Sequence, residues 1–237
     1  MRQSVRYVRI ALTLALSLAL PFVLPLGLCG AALAEAPPIS ADTPSIAPSA
    51  ALYAKLVEKA RNGDADTNYT ALRLSYVQSE GYDPYSTRTR PLFEDIWQAL
   101  NAKDCSGAIA KSNELLRIDF TRIVIHALRS DCFGRLGDAA NASRELAIGR
   151  GLAASLLASG DGKTPSTAYV VVTLNEEGFV LHELGVTEEQ QALVNDNGHE
   201  YDRIAGTDKA GKKTSVYFEV SNLFAGLSRE FGTSKEH

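Results

Sequence analysis

The sequence contains few residues of the kinds that most often carry chemistry. Of its 237 residues, three are cysteine, four are histidine, one is methionine and one is tryptophan. No two histidines have the close spacing of metal ligands, and neither a Gly-x-Ser-x-Gly motif nor a Cys-x-x-Cys motif occurs. These absences argue against a metal site, a serine nucleophile of the elbow type and a redox thiol pair. We therefore expect no cofactor and no metal, and no motif specifies a reaction.

The chain begins with a segment typical of an export signal. Residues 10–30 carry no charge, and Ala32-Leu33-Ala34 is the small-x-small pattern that a signal peptidase cleaves. A basic start precedes the uncharged run and consists of Arg2, Arg6 and Arg9. We predict cleavage between Ala34 and Glu35, and hence a periplasmic or secreted protein.

Two other interpretations of this segment stay open. Residues 10–30 are long enough to remain as an inner-membrane anchor. An uncleaved leader would then be the only contact with the membrane. Cys29 is a candidate for lipidation, but the bulky Leu28 stands directly before it, where a small residue is needed.

Negative charge dominates the rest of the chain. The sequence has 28 acidic and 24 basic residues, and the leader removes three arginines and no acid, which leaves a formal charge of −7 with histidine neutral. A surface of this sign disfavours nucleic acid and anionic lipid as partners. We expect the partner to be an envelope protein or a peptide.

Two cysteines remain once the leader is removed. Cys105 lies at the start of one predicted helix and Cys132 towards the end of the next, and these ends are neighbours in an antiparallel hairpin. An even number of cysteines in an oxidising compartment predicts a disulfide between them. The alternative is two buried free thiols.

Composition and periodicity divide the mature chain into three parts. Residues 35–49 carry four prolines and predict a flexible spacer. Residues 50–158 show helical periodicity and predict antiparallel helical hairpins. Asp104 and Ala108 recur as Asp138 and Ala142, an offset of 34 residues that is the period of tetratricopeptide-type helix pairs. Residues 159–237 predict a β-rich subdomain packed on the helices.

The β-rich part predicts a small antiparallel sheet with one or two covering helices, so the fold class is α+β. Strands are expected at 168–173, 199–206 and 213–221, from β-branched runs and alternation. Thr187 as N-cap, with Gln190 three residues on, predicts a short helix over 187–194. A closing helix is expected over 222–231. The adjacent Glu176 and Glu177 are expected in a solvated turn.

A group of aromatic and basic side chains follows the second helix. Tyrosine rings and guanidinium forks together suit the recognition of carboxylates or an extended peptide. The candidate binding residues are Arg73, Tyr76, Tyr82, Tyr85, Arg88 and, from the later Gly-rich turn, Asp161. The alternative is a tyrosine-rich loop that packs on the first helices.

The same residues carry a family resemblance. The motifs are Tyr69-x-x-Leu72-Arg73-x-x-Tyr76-x-x-Ser79-x-x-Tyr82-x-Pro84-Tyr85, then Ser159-Gly160-Asp161-Gly162 before Thr167-Ala168-Tyr169-x-Val171, then Tyr217-Phe218-x-Val220. In this order they resemble the bacterial exported family catalogued as domain of unknown function 4919. The resemblance implies a bacterial envelope protein and supplies neither an activity nor catalytic residues.

Two functions of different classes fit these observations. The first is a periplasmic protein- or peptide-binding scaffold, because stacked helical hairpins present extended surfaces. The second is an envelope hydrolase or ligand-dependent enzyme with a site between the Tyr82–Arg88 loop and the Ser159–Thr167 connector. An enzyme would require carboxylates such as Glu177 to converge in a cleft.

Overall fold

The computed structural model describes residues 49–224. These residues belong to one compact unit that spans Ser45–His237. The predicted leader, its cleavage site, the alternative anchor at 10–30 and nearly all of the spacer lie outside the described residues. So does most of the closing helix predicted at 222–231, of which residues 222–224 are described and are helical.

Six helices form the first part of the described chain. They pack mainly as sequential pairs, α1 with α2, α3 with α4 and α5 with α6, and α2 also contacts α6. Their bounds are α1 Ala50–Asn62, α2 Tyr69–Tyr76, α3 Thr89–Asn101, α4 Cys105–Ile118, α5 Ile123–Arg135 and α6 Ala139–Leu157. The helical structure expected for residues 50–158 is therefore confirmed.

Side-chain caps explain where four of these helices begin. Ser49, Asn68, Asp104 and Asp138 each accept a hydrogen bond of 2.8–3.1 Å from the backbone N–H three residues later. Asp104 and Asp138 thus occupy equivalent positions at the starts of α4 and α6, and this equivalence accounts for the offset of 34 residues. Tetratricopeptide-like stacking stays a prediction.

The remaining elements form a four-stranded mixed sheet in the order β1-β4-β3-β2. The strands are β1 Tyr169–Val170, β2 Thr187–Asp196, β3 His199–Thr207 and β4 Lys213–Glu219. The β2–β3 and β3–β4 pairs are antiparallel, but β1 pairs with β4 in parallel, with Tyr169 opposite Phe218. The prediction of a purely antiparallel sheet was therefore wrong. The class α+β is confirmed.

Two elements between β1 and β3 differ from the prediction. Helix α7, Leu174–Leu184, contains Glu176 and Glu177, for which a solvated turn was expected. The predicted helix at 187–194 is instead the edge strand β2. Its backbone pairs with β3 from Thr187 opposite Thr207 to Asp196 opposite His199, with one register shift between Glu188 and Gln190. This tertiary pairing overrides the local helix preference of the Thr187–Gln191 segment.

A tight turn joins β2 to β3. Asn197 has φ 51° and Gly198 has φ 82°, and two consecutive positive φ values define the turn that matches the twist of a β-hairpin. Asn-Gly is a favoured sequence for this turn. The sequence therefore did indicate a hairpin here, although a helix was expected in the segment before the turn.

One core joins the helices to the sheet. Helix residues such as Leu115, Ile125 and Leu152 share it with Val171, Val180 and Phe218 of the sheet side, and each of these six side chains is fully buried. Helix α7 contacts α5, and β1 contacts α6. The hydrophobic burial that stabilises the helices therefore also holds the sheet in place.

The predicted disulfide is not formed. Cys105 and Cys132 are both buried free thiols, although they belong to the neighbouring helices α4 and α5 as expected. Burial, together with a hydrogen bond with Cys105, raises the pKa of Cys132 to about 12. The two thiols thus pack as small apolar groups beside each other.

Candidate functional site: an arginine-lined groove

Arg73, the first predicted binding residue, lies in the core and not on the surface. Its side chain is 1 % exposed. The guanidinium donates to both carboxylate oxygens of Glu176 at 2.8 and 2.9 Å, to Ser155 Oγ at 3.1 Å and to the Val170 carbonyl at 2.7 Å. Arg73 therefore connects α2 with α6, β1 and α7, and its side chain is not accessible to a partner.

The tyrosine-rich loop after α2 is folded onto the helices. Tyr76 is 0 % exposed, and its hydroxyl donates to the Gly81 carbonyl at 3.2 Å. The Tyr82 hydroxyl donates to the Val172 carbonyl at 2.8 Å. Arg88 is exposed, but its guanidinium turns back to the Gly81 and Tyr82 carbonyls at 2.7 and 3.0 Å. The packed-loop interpretation describes this geometry better than an open binding face.

Asp161 lies apart from this loop, in the turn that follows α6. It is exposed and bonds the Lys163 ammonium at 2.8 Å, and this hydrogen bond holds the pKa of Asp161 well below its usual range. The backbone N–H groups of Asp161 and Gly162 donate to the Thr167 carbonyl. The six predicted binding residues thus do not share one exposed surface, since Arg73 and Tyr76 are buried.

Two adjacent carboxylates that were expected in solvent are buried on α7. Glu176 pairs with Arg73, whereas Glu177 faces Asp202 of β3. Burial, together with the nearby charge of Asp202, raises the pKa of Glu177 to about 9. Burial also raises the pKa of the half-buried Tyr85, as do Asp202 and Glu177. Glu177 is therefore protonated at neutral pH and donates to Asp202.

A concave groove lies among α1, α4 and α6. Its first part has a volume of about 620 Å³, and four arginines line it, namely Arg61, Arg117, Arg129 and Arg144. A second part of about 570 Å³ shares Arg144 and Ile148 with the first and continues along Asn62, Tyr69, Ser143 and Ala147. We call the two parts together the α1/α4/α6 groove.

At the floor of the groove, the charges of Arg129 and Glu145 compensate each other. Arg129 donates to Glu145 and to Asn113, each at 2.7 Å. The other Glu145 oxygen meets His126 Nδ1 at 2.7 Å, while His126 Nε2 donates to the Phe120 carbonyl at 2.8 Å. Burial alone would raise the pKa of Glu145, but the hydrogen bonds with His126 and Arg129 outweigh it and lower the pKa. His126 is a fully buried core histidine.

The charges of the other three arginines, Arg61, Arg117 and Arg144, are not compensated in this way within the described part of the chain. Arg61 lies with its guanidinium carbon 5.3 Å from the centre of the Phe120 ring. Arg144 donates to the side-chain oxygen of Asn141 at 2.9 Å. Among residues 49–224, no carboxylate forms an ion pair with Arg61, Arg117 or Arg144. All three are exposed at the groove. The groove is therefore positively charged on an acidic chain.

The sequence alone did not indicate this groove. Its arginines are scattered over four helices, and each in isolation reads as an ordinary solvated charge. Only the tertiary arrangement of α1, α4, α5 and α6 brings them to one surface. The available signal was the recurrence of arginine at positions 117, 129 and 144 in an otherwise acidic chain.

The family of the chain follows from a match of the family model over residues 46–229, which includes every described residue. The chain belongs to the DUF4919 family, described as a domain of unknown function. This confirms the resemblance drawn from the sequence motifs. The DUF4919 match contains both the groove and the Glu177–Asp202 pair. Comparisons with curated proteins and with solved structures found no significant match.

Two further properties concern membranes and metals. Within residues 49–224, no helix is long and apolar enough to cross a membrane. In the same part of the chain, no group of three or more His, Cys, Asp or Glu side chains is placed to hold a metal ion.

Proposed function

We propose that this DUF4919 protein is an exported module that binds a segment of another envelope protein or a peptide in the α1/α4/α6 groove. The observation that carries the proposal is the groove itself. Its two parts, of about 620 and 570 Å³, adjoin at Arg144 and run across several helices. An extended segment fits such a shape better than a compact small molecule, which favours a closed and mostly apolar pocket.

Crosslinking from inside the groove tests the site. Ala147 is an exposed groove residue of α6, and Ala154 is an exposed residue of the same helix that does not line the groove. A photo-crosslinking amino acid at position 147 should capture a specific partner in the native envelope, and the same group at 154 should not. Ala147→Trp, which fills the groove, should compete that partner away in a pull-down. Equal capture from both positions would place the contact elsewhere.

The proposal that the protein is exported rests on the leader, which has a basic start, an uncharged run and an Ala32-Leu33-Ala34 end. Intact mass of the protein recovered from the envelope should correspond to a chain that begins at Glu35. A mass that retains Met1 would support the anchor at residues 10–30 in its place, and a lipid-modified Cys29 would support a lipoprotein.

A second candidate function has one observation in its favour. Glu177 is a protonated acid at neutral pH beside the carboxyl group of Asp202, whose pKa is also raised by burial. A carboxyl group that keeps its proton at neutral pH can act as a general acid. Tyr85 of the predicted enzyme site lies next to them. Glu177 and Asp202 are only 5 % and 9 % exposed, which disfavours substrate access. Turnover in a broad hydrolase screen that Glu177→Gln abolishes would favour the enzyme.

A further inference from the structure

We infer that the segment bound in the α1/α4/α6 groove is acidic, rich in Asp and Glu, and that Arg61, Arg117 and Arg144 select it. The inference rests on the proposed function and names the chemistry of the partner. Its starting point is the difference between Arg129, which Glu145 already neutralises at 2.7 Å, and the three groove arginines that have no internal carboxylate.

The geometry of Arg61 and Arg144 suits carboxylate recognition. Arg61 lies near the Phe120 ring at 5.3 Å, and a guanidinium that contacts an aromatic ring through its face keeps its N–H edges free to donate. Asn141 accepts one N–H of Arg144 at 2.9 Å, which restricts the side chain at the point where the two parts of the groove meet. A restricted fork loses less rotamer freedom when it binds a carboxylate.

The groove offers little to an apolar segment. The large hydrophobic side chains that are exposed among residues 49–224 are Leu136, Leu157, Leu174, Leu184, Leu193 and Phe224, and none of them lines the groove. Its apolar floor consists of residues such as Leu116, Phe120 and Ile148 that are already buried in the core. An apolar anchor would therefore find no matching pocket, and charge is the property that remains for recognition.

The one acid on the floor does not oppose this charge. Glu145 accepts hydrogen bonds from Arg129 and faces His126, so its negative charge is compensated inside the protein. Glu114, at the rim, lies 3.9 Å from the Lys111 ammonium. Asp64, which lines the second part of the groove, pairs with Lys59 at 3.1 Å. Asp138 lies near Arg144, whose charge helps to lower the pKa of this carboxyl group, but the two side chains form no ion pair. A carboxylate that enters the groove thus meets Arg61, Arg117 and Arg144 before any internal ion pair has used them.

Titration followed by NMR of the arginine Nε–H groups tests the inference on the exported protein. The probes are a Glu-rich peptide and a Gln-rich peptide of equal length. The Glu-rich peptide should shift the Arg117 and Arg144 resonances, and the Gln-rich peptide should not. Arg117→Gln and Arg144→Gln should each weaken binding about two- to five-fold, as expected for exposed ion pairs. Arg150→Gln, an exposed position of α6 outside the groove, should leave binding unchanged.

The possible results distinguish an error in the proposed partner from an error in the proposed binding site. If the Gln-rich peptide binds as well as the Glu-rich one, or if Arg150→Gln weakens binding as much as Arg144→Gln, the acidic partner is refuted, whereas crosslinking from position 147 can still support docking. If Ala147→Trp leaves the Glu-rich peptide bound, the groove is not the site and both proposals fail. If polyphosphate or DNA binds more tightly than the Glu-rich peptide, the assignment to a protein segment is overturned.

Discussion

At the residue scale, Arg73 shows that a side chain suited to ligand recognition can instead stabilise the fold. Its guanidinium makes four hydrogen bonds inside the protein, two of them to Glu176, which lies 103 positions later in the sequence. The planar fork that suits a ligand carboxylate suits this internal carboxylate equally well. The sequence indicated the chemistry of Arg73 but not its partner, because Glu176 lies on a helix that was expected to be a turn.

We predict that Arg73→Met destabilises the protein by roughly 3–5 kcal/mol, because removing one member of a buried ion pair leaves the other charge uncompensated. Denaturant unfolding measures the change. The double variant Arg73→Met with Glu176→Met should recover part of the loss, since no unpaired charge is left. Arg150→Met, an exposed control, should change stability by only about 0.5 kcal/mol. A loss for Arg73→Met as small as for this control would contradict the structural role.

At the scale of single elements, the helix starts depend on capping side chains. Asp138 accepts the Asn141 N–H at 3.0 Å, and its second oxygen accepts the Asn141 side-chain amide at 2.6 Å. These hydrogen bonds lower the pKa of Asp138. Asp138 therefore accepts a hydrogen bond from an otherwise unpaired N–H in the first turn of α6. It also places a negative charge at the positive end of the helix dipole.

Asp138→Ala should lower the free energy of unfolding by about 1 kcal/mol, the usual effect of losing an N-cap. Asp138→Ser should retain most of the stability, because serine is also a good cap. Thermal unfolding of the two variants side by side measures the difference. Equal stability of the alanine and serine variants would show that the cap does not determine the start of α6.

Helices with an apolar face and a cap, such as α1 and α4, could be predicted from the sequence, since both signals are local. The conformations of the segments that form α7 and β2 could not be predicted in this way. Glu176 and Glu177 looked solvated because their partners, Arg73 and Asp202, lie far away in the sequence. The Thr187–Gln191 segment looked helical because it consists largely of helix-forming residues, yet pairing with β3 decides its conformation.

The candidate site could be predicted even less well. The expected binding residues were chosen by type, and their burial was invisible without the packing of the loop at 81–88 onto the helices. The groove arginines come from α1, α4, α5 and α6, so no spacing in the sequence reports that they meet. Their common location is a property of tertiary structure alone.

At the scale of the whole molecule, the contact between Glu177 of α7 and Asp202 of β3 joins the sheet to the helices. The pKa of Glu177 is raised from its ordinary 4.5 to about 9, by burial first and then by the nearby Asp202, Glu188 and Glu176. The folded protein thus keeps a proton that the unfolded chain loses. The stability from this group is complete below pH 4.5 and is lost as the pH rises through about 9.

We therefore predict that the free energy of unfolding falls between pH 5 and pH 9, with a slope of up to about 1.4 kcal/mol per pH unit from this group. Glu177→Gln should flatten the slope and stabilise the alkaline form, because the amide still donates to Asp202 and cannot ionise. Urea unfolding across this range provides the measurement. Glu58→Gln, an exposed change on α1, should keep the original slope. An unchanged slope in Glu177→Gln would count against the shared proton.

The strand order also has a consequence for biosynthesis. β4 is the last strand of the described chain, yet it lies between β1 and β3. While the chain is being made from its N-terminus, the helices and the β2–β3 hairpin can form before residues 213–219 exist, but β1 has no neighbour to pair with. A chain that ends early lacks Val216 and Phe218 of the core and exposes β1 as an unpaired edge. Such incomplete chains are open to proteases and aggregation, so completion of the fold depends on the synthesis of β4.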